Sequence, residues 1–145
     1  MDISVTKDLE ILIAEDDPGN FVLTKKLLRS WGLTGSITYF ADGQTVLDFF
    51  FDPDRKDRHE APNYLLLLDI NLSGVNGRQV MQKLKADSRF HRIPVMIMTD
   101  TDEASIMKEC YDLGCCGYFV KPLKRGEFYL AMTKAGIPLP LVGRP

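Results

Sequence analysis

The 145-residue sequence predicts an α/β fold, a single five-stranded parallel sheet with helices on both faces. Three observations carry that prediction. Short apolar runs alternate five times with segments whose apolar residues recur at helical spacing. Several runs, above all "LLLL" before Asp69, are apolar at every position, as in a strand buried on both faces. Residues able to do chemistry stand at the carboxyl ends of the runs, where ligands sit in open parallel sheets.

The elements follow in order. "LEILIA" (Leu9 to Ala14) reads as the first strand, and Glu15, Asp16 and Asp17 come directly after it. Pro18 suits the first turn of a helix that Asp17 caps. In that helix Leu23, Leu27, Leu28 and Trp31 form the expected buried stripe, and Gly32 ends it. "SITYF" (Ser36 to Phe40) is a strand, and "GQTVLDFFF" (Gly43 to Phe51) is a helix burying Val46, Leu47 and Phe50. Asp52 to Pro62, charged and with two prolines, reads as a surface connection. The leucine strand runs into Asp69, and a helix over Gly77 to Ala86 follows, with Val80 and Leu84 one turn apart. "IPVMIM" (Ile93 to Met98) is the fourth strand and leads to Thr99. The next helix spans Asp102 to Leu113, with Ile106, Met107, Cys110 and Leu113 facing inward and Gly114 as its stop. "GYFV" is the fifth strand, and Leu123 to Ala135 is a helix burying Phe128, Ala131 and Met132. "GIPLPLVGRP" reads as an extended tail.

Composition narrows the functional classes. A net charge of -2, with basic residues scattered along the chain, argues against an electrostatic grip on nucleic acid. No apolar run approaches the roughly 20 residues that span a membrane, and "MDISVTKDLE" lacks the apolar segment of a signal peptide. Cys110, Cys115 and Cys116 are odd in number and include an adjacent pair, which fits a reducing compartment. With no C-x-x-C and with His59 and His91 far from them, they read as apolar filler, not a zinc site. A cytoplasmic, single-domain protein is the expectation, with its core over residues 9–135 and a tail over 136–145.

The strand ends supply Glu15 and Asp16, then Asp69, Thr99, and Lys121 before Pro122. If the strands are neighbours, three acids, a hydroxyl and an ammonium converge. Clustered carboxylates repel one another, so one protonates or a cation joins them. Oxygen ligands at the mouth of a sheet suit a hard ion such as Mg2+. A carboxylate beside such an ion can also act as a nucleophile toward phosphorus, with the lysine and the hydroxyl stabilising the phosphoryl oxygens. Each position alone has a bland reading: a turn-capping acid, a pair of helix-dipole acids, a strand threonine, a surface lysine. Together they are hard to obtain by accident.

"ILIAEDDPGN", "LLLLDINLSGVNG", "IPVMIMTD" and "GYFVKPL" together resemble the receiver domain of two-component response regulators, over about Leu9 to Ala135. The resemblance implies a flavodoxin-like (βα)5 architecture and a phosphoprotein in phosphorelay signalling. Asp69 would accept a phosphoryl group from a sensor histidine kinase or a histidine phosphotransfer protein. Mg2+, with Mn2+ as a substitute, would be held by the side chains of Asp16 and Asp69, by Glu15 mainly through water, and by the Asn71 carbonyl. Lys121 would pair with Asp69 and then with the phosphoryl group, Thr99 would bond the phosphate, and Tyr118 would swing with Thr99. A cis peptide before Pro122 would aim Lys121 inward. The resemblance further implies an output by contact with a downstream protein target, by phosphoryl relay or by competition for phosphoryl groups; some such regulators pair as a homodimer at the fourth-helix/fifth-strand side. It describes a signalling protein, not a classical enzyme. About ten residues after the last helix leave no room for an output domain, so a stand-alone receiver is expected. The long second connection and "DSRFHRIPV" (Asp87 to Val95) are similar to regulators serving bacterial phytochrome-type kinases.

Two positions depart from the family pattern: Ser73 where proline is frequent, and Asp100 where a small residue is common. Asp100, Asp102 and Glu103 read either as acids serving the next helix N-terminus or as charge that shapes access to the pocket. Competing classes are a pseudo-receiver that binds without phosphorylation, an aspartate-nucleophile phosphohydrolase, and a flavin or nucleotide binder. The second would want an acid where Asn71 stands. The third would want a phosphate-cradling loop where "AEDDPGN" would repel phosphate.

Overall fold

A computed structural model describes residues 9–54 and 63–137, within which five strands alternate with five helices. The strands are β1 (Glu10–Ala14), β2 (Ile37–Phe40), β3 (Tyr64–Asp69), β4 (Val95–Thr99) and β5 (Gly117–Val120). The helices are α1 (Pro18–Ser30), α2 (Gly43–Phe51), α3 (Gly77–Lys85), α4 (Ala104–Leu113) and α5 (Arg125–Lys134). All strand pairings are parallel, in the order β2-β1-β3-β4-β5. The chain runs outward from β1 to β2 and then returns across β1 to β3. That reversal opens a crevice above the carboxyl ends of β1 and β3.

Strand periodicity divides the core in two. Leu12, Ala14, Leu66, Leu68 and Ile97 face α2, α3 and α4 through Val46, Phe50, Val80, Leu84 and Cys110. Ile11, Ile13, Leu65, Leu67, Met96 and Met98 face α1 and α5 through Leu28, Trp31, Phe128 and Met132. All of β3 is buried. Each buried leucine stabilises by roughly 1.5–3 kcal/mol, so the four of "LLLL" hold Asp69 in a fixed place at the sheet's edge.

Local chemistry sets the helix starts. Asp17 accepts from Gly19 N at 2.8 Å and caps α1 ahead of Pro18, and Asp42 accepts from Thr45 N at 2.8 Å to cap α2. Asn76 and Gln79 form a reciprocal capping box on α3. Gly77 lies so close to β3 that an added Cβ would stand 2.5 Å from the Asp69 carbonyl oxygen. The helix after the site is therefore packed directly on the strand that ends in it.

Some boundaries differ from the sequence reading. Leu9, Ser36, Ile93 and Pro94 precede their strands, Ala86 follows α3, and α4 and α5 begin two residues later than expected. Leu23, expected in the buried stripe of α1, is 45% exposed. The helix meets the sheet through Thr24, Leu28 and Trp31, and a one-residue offset turns Leu23 by about 100° away from that line. On α4 only Cys110 of the four stripe residues is fully buried, while Ile106, Met107 and Leu113 are half-buried. Residues 55–62 of the second connection and 138–145 of the expected tail lie outside the described residues. In the segment before β4, Phe90 packs on Phe50 and Phe51, and the Arg89 guanidinium sits 4.8 Å from the Phe90 ring centre.

Candidate functional site

Parallel pairing of Ala14 with Leu68 places the residues that follow β1 level with the end of β3. Oxygens of Glu15, Asp16 and Asp69 lie within 4.8 Å of one another. Glu15 and Asp69 are buried, whereas Asp16 is exposed. From β5, Lys121 reaches across with its Nζ 2.6 Å from Glu15 Oε1 and 2.7 Å from Asp69 Oδ2. Its backbone N–H donates to the Thr99 carbonyl at 2.8 Å, and its peptide bond to Pro122 is cis, as the resemblance implies. The sequence reading paired Lys121 with Asp69. It did not find the second contact with Glu15, because nothing in the sequence says how far a lysine from β5 reaches over β3.

The remaining carboxylate oxygens divide unevenly. Asp69 Oδ1 accepts from Asn71 N at 2.9 Å, and Glu15 Oε2 accepts from Asp17 N at 3.2 Å. Both Glu15 oxygens are thus engaged. Among the described residues the Asp16 carboxylate has no hydrogen bond or ion pair, which leaves it free toward a cation. Burial pushes the Glu15 carboxyl above its ordinary range, and the bonds from Lys121 and Asp17 N pull it partly back. Burial acts to lower the Lys121 ammonium, but Asp69 and Glu15 together outweigh it and hold its pKa above the usual lysine value. Lys121 is therefore charged, and one ammonium faces three acids. An all-oxygen donor set with surplus negative charge fits a hard divalent cation such as Mg2+.

Thr99 is fully buried, and its hydroxyl oxygen accepts from Thr101 N at 3.3 Å. Tyr118 is half-buried and donates its hydroxyl to the Thr101 carbonyl at 2.7 Å. Thr99 and Tyr118 thus meet at Thr101, a residue the sequence reading passed over. Burial raises the Tyr118 phenol, so it stays a donor near neutrality. Asn71, Ser73 and Asp100 are all exposed around the crevice.

The family model for the response regulator receiver domain matches residues 11–133. Response regulator Rcp1 of Synechocystis sp. is 27% identical over 111 residues, covering 77% of this chain and 75% of Rcp1. Among solved structures, the bacteriophytochrome response regulator AtBRR superposes with a TM-score of 0.79 at 28% identity, covering 94% of this chain and 98% of that one. The receiver domain of the Pseudomonas aeruginosa sensor kinase PA1611, with a magnesium ion in its active site cleft, gives 0.68 at 26% identity, covering 88% of this chain and 98% of that one. A match of the family model over most of the chain, together with structural neighbours spanning nearly all of it, makes this chain a member of the response regulator receiver domain family.

Proposed function

We propose that the protein is a Mg2+-dependent response regulator in which Asp69 accepts a phosphoryl group from a partner's phosphohistidine. One observation carries this reading: Lys121 bridges buried Asp69 and Glu15 while the free carboxylate of Asp16 stands within 4.8 Å of both acids. Asp16 and Asp69 would ligate the metal directly, Asn71 would add its carbonyl, and Glu15, with both oxygens engaged, would act through water. The cation, when bound, neutralises phosphoryl oxygens. Lys121 stays close enough to Asp69 to follow the charge onto the transferred group. The PA1611 receiver, with its magnesium, supports the choice of metal, and Mn2+ meets the same donor requirement.

Thr99 and Tyr118 would couple this event to the surface. Once the Thr99 hydroxyl turns to a phosphoryl oxygen, its bond with Thr101 N is lost. Thr101 is also the anchor of Tyr118, so the connection between β4 and α4 shifts with it. The output would be contact with a downstream protein or a second copy. Likeness to AtBRR favours a phytochrome-type kinase as the donor.

Incubation with acetyl phosphate and Mg2+, read by intact mass, tests the reading. One phosphoryl group is expected on the wild type, and none with chelator or in Asp69→Ala. Absence of modification on the wild type with every donor tried would instead favour a pseudo-receiver that works by binding alone.

A further inference from the structure

A pocket of about 230 Å³ opens beside Lys121, lined by Asn20, Leu23 and Thr24 of α1 and by Asp100 and Pro122. Of its lining, Leu23 is 45% exposed, and Val22 before it on α1 is 48% exposed. These are apolar side chains that the core does not use. The Asp100 carboxylate has no hydrogen bond or ion pair among the described residues. Nor does it cap a helix, because α4 begins at Ala104, its N-cap position is Glu103, and no side chain caps that end. The bland account of Asp100 as a helix-serving acid therefore finds no contact to support it.

Its position has an electrostatic consequence. Behind the pocket, three carboxylates face one ammonium, and a bound divalent cation would bring that group close to neutral. Asp100 is additional negative charge on the wall of a pocket that also contains Lys121, the residue bonded to Asp69. Lys25, Lys26 and Lys124 are exposed nearby in sequence but do not line this pocket. Charge at the mouth of a cleft acts on encounter more than on the bond-making step.

We propose that Asp100 selects the phosphoryl donor: it disfavours free anionic donors and favours a donor protein with a lysine or arginine beside its phosphohistidine. This rests on Asp69 being the phosphoacceptor. In the transfer the P–N bond of a phosphohistidine protonated on its other ring nitrogen breaks and a P–O bond to Asp69 forms, the electron pair of the broken bond leaving with the imidazole, which departs neutral. Asp100 takes no part in those bonds. It sets which donor arrives, with Leu23 offering an apolar seat in the same pocket for a neighbouring side chain of the donor.

The test measures phosphoryl incorporation by intact mass with Mg2+ in excess, for wild type, Asp100→Asn and Asp100→Lys. Three probes are used: acetyl phosphate, and two synthetic phosphohistidine peptides, one flanked by lysines and one by glutamates. Asp100→Asn accepts from acetyl phosphate about fivefold faster than wild type, the scale expected for one carboxylate repelling a dianion across hydrated space. Wild type prefers the lysine-flanked peptide, Asp100→Asn loses most of that preference, and Asp100→Lys reverses it. In about 1 M salt, where the screening length is about 3 Å, the three proteins converge. Equal rates and equal peptide preference in wild type and Asp100→Asn overturn the proposal while leaving Asp69 as the acceptor. No incorporation into wild type from any probe overturns both.

Discussion

Lys121 and Glu15, 106 positions apart in sequence, meet at 2.6 Å, and the same ammonium holds Asp69 at 2.7 Å. One cation thus serves two buried acids. Lys121→Met would leave both unpaired, which for buried pairs costs about 3–5 kcal/mol. We expect a loss of about 3 kcal/mol in urea unfolding with chelator present. Millimolar Mg2+ should then raise the midpoint of the variant more than that of wild type, because a bound cation takes over the neutralisation. A variant as stable as wild type in chelator would show that the ammonium is not what holds the acids together.

Glu15 gives a pH dependence of defined sign. Its folded-state pKa is raised, chiefly by burial, above the ordinary 4.5, so the folded chain holds this proton more tightly than the unfolded one. Its contribution to stability therefore falls as pH rises from about 4.5 through the raised value, and stays unfavourable above it. Glu15→Gln without metal should accordingly be more stable than wild type at pH 7. That advantage should shrink as the pH is lowered toward 4.5, while Mg2+ affinity in calorimetry weakens. A constant difference across that range would place the effect elsewhere than in ionisation.

Gly77 is fixed by close approach to β3. A Cβ there would stand 2.5 Å from the Asp69 carbonyl oxygen and 2.7 Å from the Ile70 Cα, backbone atoms that cannot swing aside. We predict that Gly77→Ala destabilises by about 1–3 kcal/mol, the usual range for overpacking, and slows phosphoryl incorporation by moving Asp69. Thermal melts and incorporation rates should change together. A neutral substitution would mean that α3 shifts without disturbing the strand end.

The Tyr118 hydroxyl offers a smaller, cleaner change. Tyr118→Phe removes its 2.7 Å bond to the Thr101 carbonyl and the hydroxyl's interaction with Thr99, for an expected cost of about 1 kcal/mol. Acceptance of a phosphoryl group should be little affected. Amide exchange over residues 100–103 should quicken, and the change in that exchange on phosphorylation should diminish. If exchange there is the same in both proteins, the ring is core filler and not a coupling element.

Much of this was legible in the sequence because its signals are local. The all-apolar "LLLL", the acids after "LEILIA", Asp17 ahead of Pro18 and the alternation of strand and helix periods each depend on a few neighbouring residues, and each corresponds to an observed element. Leu23 shows where such reasoning stops. Its spacing fits a helical stripe as well as that of Thr24, and only contact with the sheet decides which of the two is buried.

By itself, then, the sequence determined the fold class and put Glu15, Asp16, Asp69, Thr99 and Lys121 at strand ends, because periodicity and strand length are properties of the chain alone. Tertiary structure decided which of these touch. Strand order set β1 beside β3 and β5 two strands beyond β3, so that one lysine reaches both Glu15 and Asp69. It also joined Thr99 to Tyr118 through Thr101 and left Asp100 on the rim of a pocket beside Lys121. Apart from the local Thr99–Thr101 bond, those contacts are set by distances between residues remote in sequence, and such distances exist only once the sheet has been ordered.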